Sequence, residues 1–302
     1  MVERMELRSV EIHDGDQSAV ISTLGGAIHR YDVAGSRILT APDGDEAARI
    51  CAGIVLAPWP NRIDSGLWTW LGVDYQLEVN EVATHNALHG LVMGKVWEIS
   101  SQTDSSVDLI TTIGEDAGYP FPLEVTASYA VGADGLTSSI SATNVGVLPV
   151  PVGLGSHPYI AAPDGVDCVE LELPSRTVML FDARQLPAGT RPATGAADFC
   201  DRRALGTSVL DDCFGDLDQD DKGRSWAWIS RSSERIGVWG GPTSRWLMVY
   251  SGDTLGPALY RTLLAVEPMT CAPNAFRDGG IDIVEPGQTL KLDWGMQIKA
   301  VT

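Results

Sequence analysis

Two of the five histidines lie in settings that suit acid–base chemistry. His157 lies in the segment Gly153–Tyr159 (GLGSHPY), where small residues and a proline flank it, and His89 precedes Gly90. Such neighbours suit a stiff, exposed backbone that directs one side chain, and imidazole titrates near neutral pH. Each histidine is therefore a candidate general acid or base. The alternative is that each ring only satisfies a hydrogen bond in its own loop.

Carboxylates that could work with these histidines occur at three places. Glu267 follows the apolar run 263–266, where a carboxylate is costly to bury unless it is paired or functional. Glu285 is followed by Pro-Gly, the signature of a type II turn, which favours Glu267 as the functional glutamate. Asp211 and Asp212 adjoin apolar residues. Neighbours in an extended segment point to opposite faces, so only one of the two can face a shared site.

The segment Pro58–Ile63 (PWPNRI) is a further concentration of interesting side chains. Its two prolines restrict the backbone. Trp59 could offer a flat apolar face to a small polar ligand, and Asn61 and Arg62 could donate hydrogen bonds to it. The alternative is a proline-rich corner with a surface arginine.

Several function classes are disfavoured by what the sequence lacks. It contains no glycine-rich phosphate loop, no metal-ligand spacing and no nucleophile elbow, so we expect neither a metal nor a cofactor. The formal net charge of −19 disfavours nucleic acid as a partner. Five scattered cysteines without a Cys-x-x-Cys pair suggest buried free thiols in the cytoplasm. The charged start of the chain has no signal-peptide character, and no apolar run approaches the roughly 18 residues of a membrane span.

The elements that must position these residues are strands. Apolar and polar residues alternate with a period of two in four clear segments, 123–131, 136–142, 169–173 and 290–298. Helical patterning is almost absent, apart from a short helix that we predict within 43–55. Strands without crossover helices imply antiparallel pairing, hence an all-β sandwich or barrel. No linker or repeat interrupts the chain, so we expect residues 1–302 to form a single domain.

Seven short motifs, taken together and in order, resemble the aldose 1-epimerase (galactose mutarotase) family. They run through most of the chain: Asn61-Arg62-Ile63, Gly66-Leu67-Trp68, Tyr75-Gln76-Leu77, Leu88-His89-Gly90, Ser156-His157-Pro158-Tyr159, Asp211-Asp212-Cys213-Phe214 and Glu267-Pro268-Met269. Each motif alone is weak, and their shared order and spacing make the resemblance strong. It implies a large antiparallel β-supersandwich with a shallow sugar cleft. It also implies an isomerase that interconverts the α and β anomers of a free aldose.

The resemblance also implies a role for each matching residue. His157 matches the general acid that protonates the ring oxygen, and Glu267 matches the base that takes the proton of the anomeric hydroxyl. Such a pair gives a bell-shaped pH profile, whose acidic limb we would assign to the glutamate and whose alkaline limb to the histidine. The groups that match sugar-binding residues are Arg62, His89 and Asp211, with Asn61 and Tyr159 as weaker matches.

This chain departs from many relatives at Leu91, where they have glycine, and at Asp212, where some have histidine. The departures leave the acid–base pair intact and leave the identity of the sugar open. A hexose-6-phosphate or other anionic-sugar 1-epimerase is one alternative, although a phosphate needs a basic cluster. A carbohydrate-binding protein without catalysis is the other. In each case the expected partner is a monosaccharide, with no membrane or nucleic acid, bound by a monomer or homodimer.

Overall fold

The computed structural model describes residues 6–300 except residues 115, 117 and 233. Short helical segments are few: α1 Asp45–Arg49, α2 Ala275–Asp278, and 3-10 turns at Val166–Cys168 and Gly195–Ala197. The strands, in chain order, are β1 Ser9–Asp14, β2 Gln17–Ser22, β3 Ala27–Val33, β4 Ser36–Thr40, β5 Val55–Leu56, β6 Arg62–Asp64, β7 Leu67–Trp70, β8 Val73–Gln76, β9 Asn86–Leu88, β10 Glu98–Gln102, β11 Ser106–Ile113, β12 Leu123–Gly132, β13 Gly135–Asn144, β14 Val150–Val152, β15 Gly155–Ser156, β16 Tyr159–Ala161, β17 Glu170–Glu172, β18 Ser175–Phe181, β19 Pro187–Pro192, β20 Arg203–Ala204, β21 Asp211–Leu217, β22 Ser225–Arg231, β23 Glu234–Gly240, β24 Trp246–Tyr250, β25 Leu263–Met269, β26 Asp282–Val284 and β27 Thr289–Ala300.

The alternating segments of the sequence form strands because each buries one face. In β12 and β13 every second side chain is buried, and the two strands pair along their full length. Gly135 closes their hairpin at φ 85°, and a Cβ there would lie 2.1 Å from the Met296 carbonyl oxygen. The predicted strand at 290–298 is confirmed by β27. The strand predicted at 169–173 is confirmed over Glu170–Glu172, and a 3-10 turn at Val166–Cys168 precedes it.

Two large sheets hold most of the strands. The first has 12 strands: ten follow the path β1-β2-β3-β4-β16-β25-β24-β21-β18-β19, and β15 and β5 attach beside it, β15 to β25 and β5 to β15. The second has nine, in the order β10-β11-β12-β13-β27-β23-β22-β17-β20. Every pairing between the named strands is antiparallel, and one hydrophobic cluster takes buried side chains from both sheets. The Tyr129 hydroxyl joins the sheets by donating to the Gly26 carbonyl at 2.6 Å. The predicted antiparallel β-sandwich is confirmed.

The segment Gly153–Tyr159 is buried throughout, so our expectation of an exposed backbone was wrong. Its glycines serve close packing instead. A Cβ on Gly153 would lie 2.5 Å from Cys271 Sγ, and one on Gly155 would lie 3.0 Å from Pro60 Cβ. The segment is therefore fixed by neighbouring side chains rather than by its own stiffness.

The predicted short helix and the predicted burial of the cysteines are each confirmed only in part. The helix predicted within 43–55 is confirmed only at Asp45–Arg49. All five cysteines are free thiols, and three are buried, but Cys168 and Cys200 are exposed, which contradicts uniform burial. Within the described part of the chain, no helix has both the length and the apolar character needed to cross a membrane.

Candidate active site

His157 and Glu267 are brought opposite each other by strand register. Strand β25 pairs with β15 at Gly155–Met269 and with β16 at Tyr159–Ala265, so His157 and Glu267 lie between the two paired positions. Pro158, which has no N–H to donate, lies in this gap of the ladder. The His157 backbone turns instead to the segment before β5, donating to the Ile54 carbonyl at 3.1 Å and accepting from Gly53 N at 2.8 Å.

The two side chains are in direct contact. His157 Nε2 lies 3.3 Å from Glu267 Oε1, and the side chains are 8% and 3% exposed. The second polar atom of each group, His157 Nδ1 and Glu267 Oε2, is buried without a hydrogen-bond partner among the described residues. The structure thus brings the predicted acid and base together.

Burial sets the protonation of this pair. It lowers the pKa of His157 to about 4. It raises the pKa of Glu267 well above its usual value, an effect that the Asp211 charge increases and the Arg62 charge partly offsets. Both shifts have the same cause, since a low-dielectric site disfavours an imidazolium and a carboxylate alike. In the free protein the favoured state is therefore a neutral imidazole beside a protonated carboxyl group.

His89 lies beside His157, with ring centroids 5.3 Å apart. Its Nδ1 accepts the Asn61 backbone N–H at 3.3 Å, so the neutral ring carries its proton on Nε2. Burial first, then the charges of His157 and Arg62, hold the pKa of His89 well below 6.5. His89 is therefore a hydrogen-bond donor rather than a base. The adjoining Gly90 has φ 78°, and a Cβ there would lie 2.1 Å from the Ala57 carbonyl oxygen.

Arg62 reaches the same site because β6 pairs with β9, which places Arg62 opposite Leu88. Its side chain is only 12% exposed, which contradicts the alternative of a surface arginine. Nε and Nη2 donate to the carboxylate of Glu81 at 2.8 and 2.7 Å. The neighbouring Asn61 is buried, and its side-chain oxygen accepts the Arg62 backbone N–H at 3.0 Å. Sequence reasoning missed Glu81, which lies in a polar loop without a recognisable pattern.

Asp211 faces the site and Asp212 does not, because the segment is extended. In the register of β21 with β24, Asp211 lies opposite Tyr250, and Asp212 lies opposite Val249, whose side chain is in the core. Burial raises the pKa of Asp211 to about 6, although Arg62 opposes the shift. The remaining acidic candidate, Glu285, forms the expected turn: its carbonyl accepts Gln288 N–H at 2.9 Å.

These side chains line one cavity of about 210 Å³ on the face of the 12-stranded sheet that points away from the core. It contains all seven residues to which the sequence resemblance gave a catalytic or sugar-binding role: Asn61, Arg62, His89, His157, Tyr159, Asp211 and Glu267. Lining residues that the sequence did not suggest are Arg49, Ile50, Cys51, Leu88, Met248, Tyr250, Thr254 and Leu255.

Trp59 does not serve as a ligand face. It is 3% exposed and packs edge-on against Phe276, with ring centroids 5.8 Å apart. A larger cavity of about 430 Å³ lies on the outer face of the nine-stranded sheet, but no histidine lines it. The acid–base chemistry therefore points to the smaller cavity. Among the described residues no cluster of three or more His, Cys, Asp or Glu side chains is arranged to hold a metal ion.

Comparison with known proteins decides the family. The family model described as aldose 1-epimerase matches residues 8–297. This chain belongs to the aldose 1-epimerase family. The Escherichia coli (strain K12) protein YihR, itself uncharacterised, is 31% identical over 283 residues, which are 92% of this chain and 88% of that protein.

Solved structures of aldose epimerase homologues share the fold. The GalM/aldose epimerase homologue from C. elegans superposes with a TM-score of 0.87 at 18% identity, over 98% of this chain and 100% of that one. The galactose 1-epimerase from Lactobacillus acidophilus superposes with a TM-score of 0.84 at 17% identity, over 100% and 97% of the two chains. The family resemblance and the galactose mutarotase-like fold expected from the sequence are confirmed.

Proposed function

We propose that this protein is an aldose 1-epimerase that interconverts the α and β anomers of a free aldose. The observation that carries the proposal is the 3.3 Å contact between His157 Nε2 and Glu267 Oε1 on the floor of a polar cavity. Two groups that share one proton can take a proton from one oxygen of a substrate and give a proton to another.

Ring opening needs one proton removed and one delivered. Glu267 takes the proton of the anomeric hydroxyl, the bond between C1 and the ring oxygen breaks, and His157 protonates that oxygen. The product is the open-chain aldehyde. Rotation about C1–C2 and the reverse transfers, with roles exchanged, then close the ring as the other anomer. Protons balance without any other reactant.

These roles need the ionised form of the pair, in which the proton has moved from Glu267 to His157. Burial favours the neutral form in the free protein. Hydroxyl groups that donate to the Glu267 carboxylate would favour the ionised form, as would the nearby Arg62 charge. The sugar itself therefore helps to create the reactive state, and the proton crosses only a single short contact.

The other lining residues supply binding and orientation. Arg62 and the Nε2–H of His89 are donors to the ring oxygen region and to sugar hydroxyls. Asp211, once ionised, accepts hydrogen bonds from ring hydroxyls. Asn61 and Tyr159 complete the lining, although the Tyr159 hydroxyl also donates to the Ile50 carbonyl at 3.4 Å.

Charge pairing favours a neutral sugar over an anionic one. The cavity holds two arginines, one more than the sequence suggested, but Arg49 pairs with Glu46 and Arg62 with Glu81. Asp211 and Glu267 add further acidic groups. No unneutralised basic cluster of the kind that phosphate needs is present among the described lining residues.

The test is anomer exchange, measured by polarimetry or NMR, across a panel of neutral aldoses and their 6-phosphates, with His157→Ala as the inactive control. We expect acceleration over the spontaneous rate for at least one neutral aldose. Exchange of the phosphates alone would favour the anionic-sugar alternative. Calorimetric binding without any exchange would identify a carbohydrate-binding protein.

A further inference from the structure

We infer that Glu81 is a positioning residue for catalysis, which holds the Arg62 guanidinium in the orientation that the sugar needs. The inference rests on the proposed function and assigns a role outside the cavity lining. Glu81 is not among the residues that line the cavity, so it acts through Arg62 rather than on the sugar.

The carboxylate of Glu81 fixes two of the three guanidinium nitrogens. Nε and Nη2 of Arg62 are held at 2.8 and 2.7 Å, a bidentate geometry that leaves Nη1 as the nitrogen without a carboxylate partner. Nη1 has only a long contact of 3.5 Å with Asn61 Oδ1. Because the planar guanidinium is held at Nε and Nη2, it can rotate very little, and Nη1 is therefore a donor with a defined direction.

Both members of the pair are shielded from water. The side chain of Arg62 is 12% exposed and that of Glu81 is 18% exposed. Burial alone would raise the pKa of Glu81, but the hydrogen bonds and charge of Arg62 outweigh it and hold that pKa below its usual value. Glu81 therefore remains a carboxylate at neutral pH and partly neutralises Arg62 beside the catalytic pair.

Glu81 is itself held in place by a chain of side-chain contacts. The Thr84 hydroxyl donates to its Oε2, and the Asn86 amide donates to that hydroxyl at 3.0 Å. The backbones of Glu81 and Asn86 exchange two hydrogen bonds of 3.1 and 3.2 Å. The Glu81 carboxylate thus accepts hydrogen bonds from both sides, from the Thr84 hydroxyl and from the Arg62 guanidinium.

Arg184 anchors this loop from a distant part of the chain, the turn between β18 and β19. It donates to the carbonyl oxygens of Thr84 and His85 at 3.0 and 2.9 Å, and to the Asn86 side chain at 3.1 Å. The loop that carries Glu81 is thus fixed before any ligand binds, which is what orientation of a binding group requires.

The experiment compares Glu81→Gln with Glu172→Gln, a matched control that breaks the half-buried pair with Arg235 in the nine-stranded sheet. Anomer exchange is measured for the wild type and both variants, with melting temperatures as a check on folding. We expect Glu81→Gln to lower kcat/KM by about tenfold or more, mainly through KM, and Glu172→Gln to leave it unchanged.

Two further measurements separate positioning from a general structural role. In an Arg62→Met background, Glu81→Gln should change kcat/KM by no more than about twofold, because the group it acts through is gone. The Nε–H resonance of Arg62 in NMR spectra, assigned by its loss in Arg62→Met, should shift or broaden in Glu81→Gln but not in Glu172→Gln.

Each outcome is decisive. If the wild type exchanges anomers and Glu81→Gln matches the control, the inference is wrong and the proposed function stands. The inference is also wrong if Glu81→Gln lowers kcat/KM as much in the Arg62→Met background as in the wild type. It is equally wrong if the Arg62 Nε–H resonance is unaltered in Glu81→Gln. A wild type without exchange on any sugar overturns the proposed function, and the inference that rests on it.

Discussion

The imidazole Nε2 of His157 and the carboxyl Oε1 of Glu267 lie 3.3 Å apart, close enough to share one proton. Glu267 belongs to β25 and His157 to the connection between β15 and β16, and the two residues meet because β25 pairs with both of those strands. Removing either partner leaves the other buried without its contact, and also deprives the site of an acid or a base.

The first prediction concerns this pair. Glu267→Gln and His157→Ala should each lower kcat by at least about 10², because one proton transfer loses its group. The rate of anomer exchange on one sugar measures the effect, and circular dichroism verifies that the variants fold. Glu285→Gln is the control, since Glu285 lies in a turn and should leave the rate unchanged. If Glu285→Gln were the inactive variant, the base would be misassigned.

The second prediction reverses the pH assignment expected from the sequence. The free pair holds one proton, on Glu267. Below about pH 4 a second proton enters on His157 and no base remains, so kcat/KM falls. Burial raises the pKa of Glu267 well above its usual value, and where the pH exceeds that raised pKa the carboxyl group loses its proton and no acid remains. The acidic limb therefore reports the imidazole and the alkaline limb the carboxyl group.

A kcat/KM profile from pH 3.5 to 10 checks this. Asp211, with its pKa of about 6, should add a shallow inflection that the Asp211→Asn variant lacks. A main acidic limb near pH 6.5 that persists in Asp211→Asn would show that His157 is not shifted by burial.

The third prediction separates the adjacent aspartates. Asp211→Asn should lower kcat/KM by about tenfold or more, because a carboxylate makes stronger hydrogen bonds to sugar hydroxyls than an amide does. Asp212→Asn should change the kinetics little, since Asp212 lies on the other face of β21. Exchange rates of the two variants measure this. A defect confined to Asp212→Asn would place the register one residue off.

The fourth prediction is that Asp211→Asn stabilises the fold while it impairs the site. The pKa of Asp211 is raised from 3.8 to about 6 on folding, so the free energy of unfolding falls as the pH rises through that range. At pH 8 the ionised group costs up to roughly 3 kcal/mol, which asparagine avoids. Urea unfolding at pH 8 should give Asp211→Asn a higher free energy of unfolding than the wild type, and this difference should shrink towards pH 4. An equal difference in free energy of unfolding at both pH values would mean that the charge of Asp211 does not cause the stabilisation.

The sequence predicted the strands best where burial is one-sided. In β12, β13 and β27 one face packs into the core and the other meets water. Apolar and polar residues therefore alternate along these strands, and the sequence shows this pattern. The 3-10 turn before β17 spans only three residues, too few to show a helical period in the sequence. The buried segment at 153–159 was misjudged, since its small residues suit exposure and tight packing equally.

The candidate site was predictable only where family motifs lie. The seven motif residues with an expected role in the site all line one cavity. Glu81 and Arg49 were not predicted, because they reach their positions through contacts with residues far along the chain or in other loops. Trp59 illustrates the opposite error, because an aromatic ring beside polar residues can face either a ligand or the core, and here Phe276 covers it.

Strand β27 lies between β13 and β23, in the middle of the nine-stranded sheet. While the chain is being synthesised, both neighbours are complete before Thr289 has left the ribosome, and each then presents a row of unpaired backbone groups. The nascent chain must keep these two edges from pairing with other chains until the missing strand arrives. A stop codon or protease cut shortly before Thr289 would leave the sheet split in two halves and ready to aggregate, with every residue of the cavity still present.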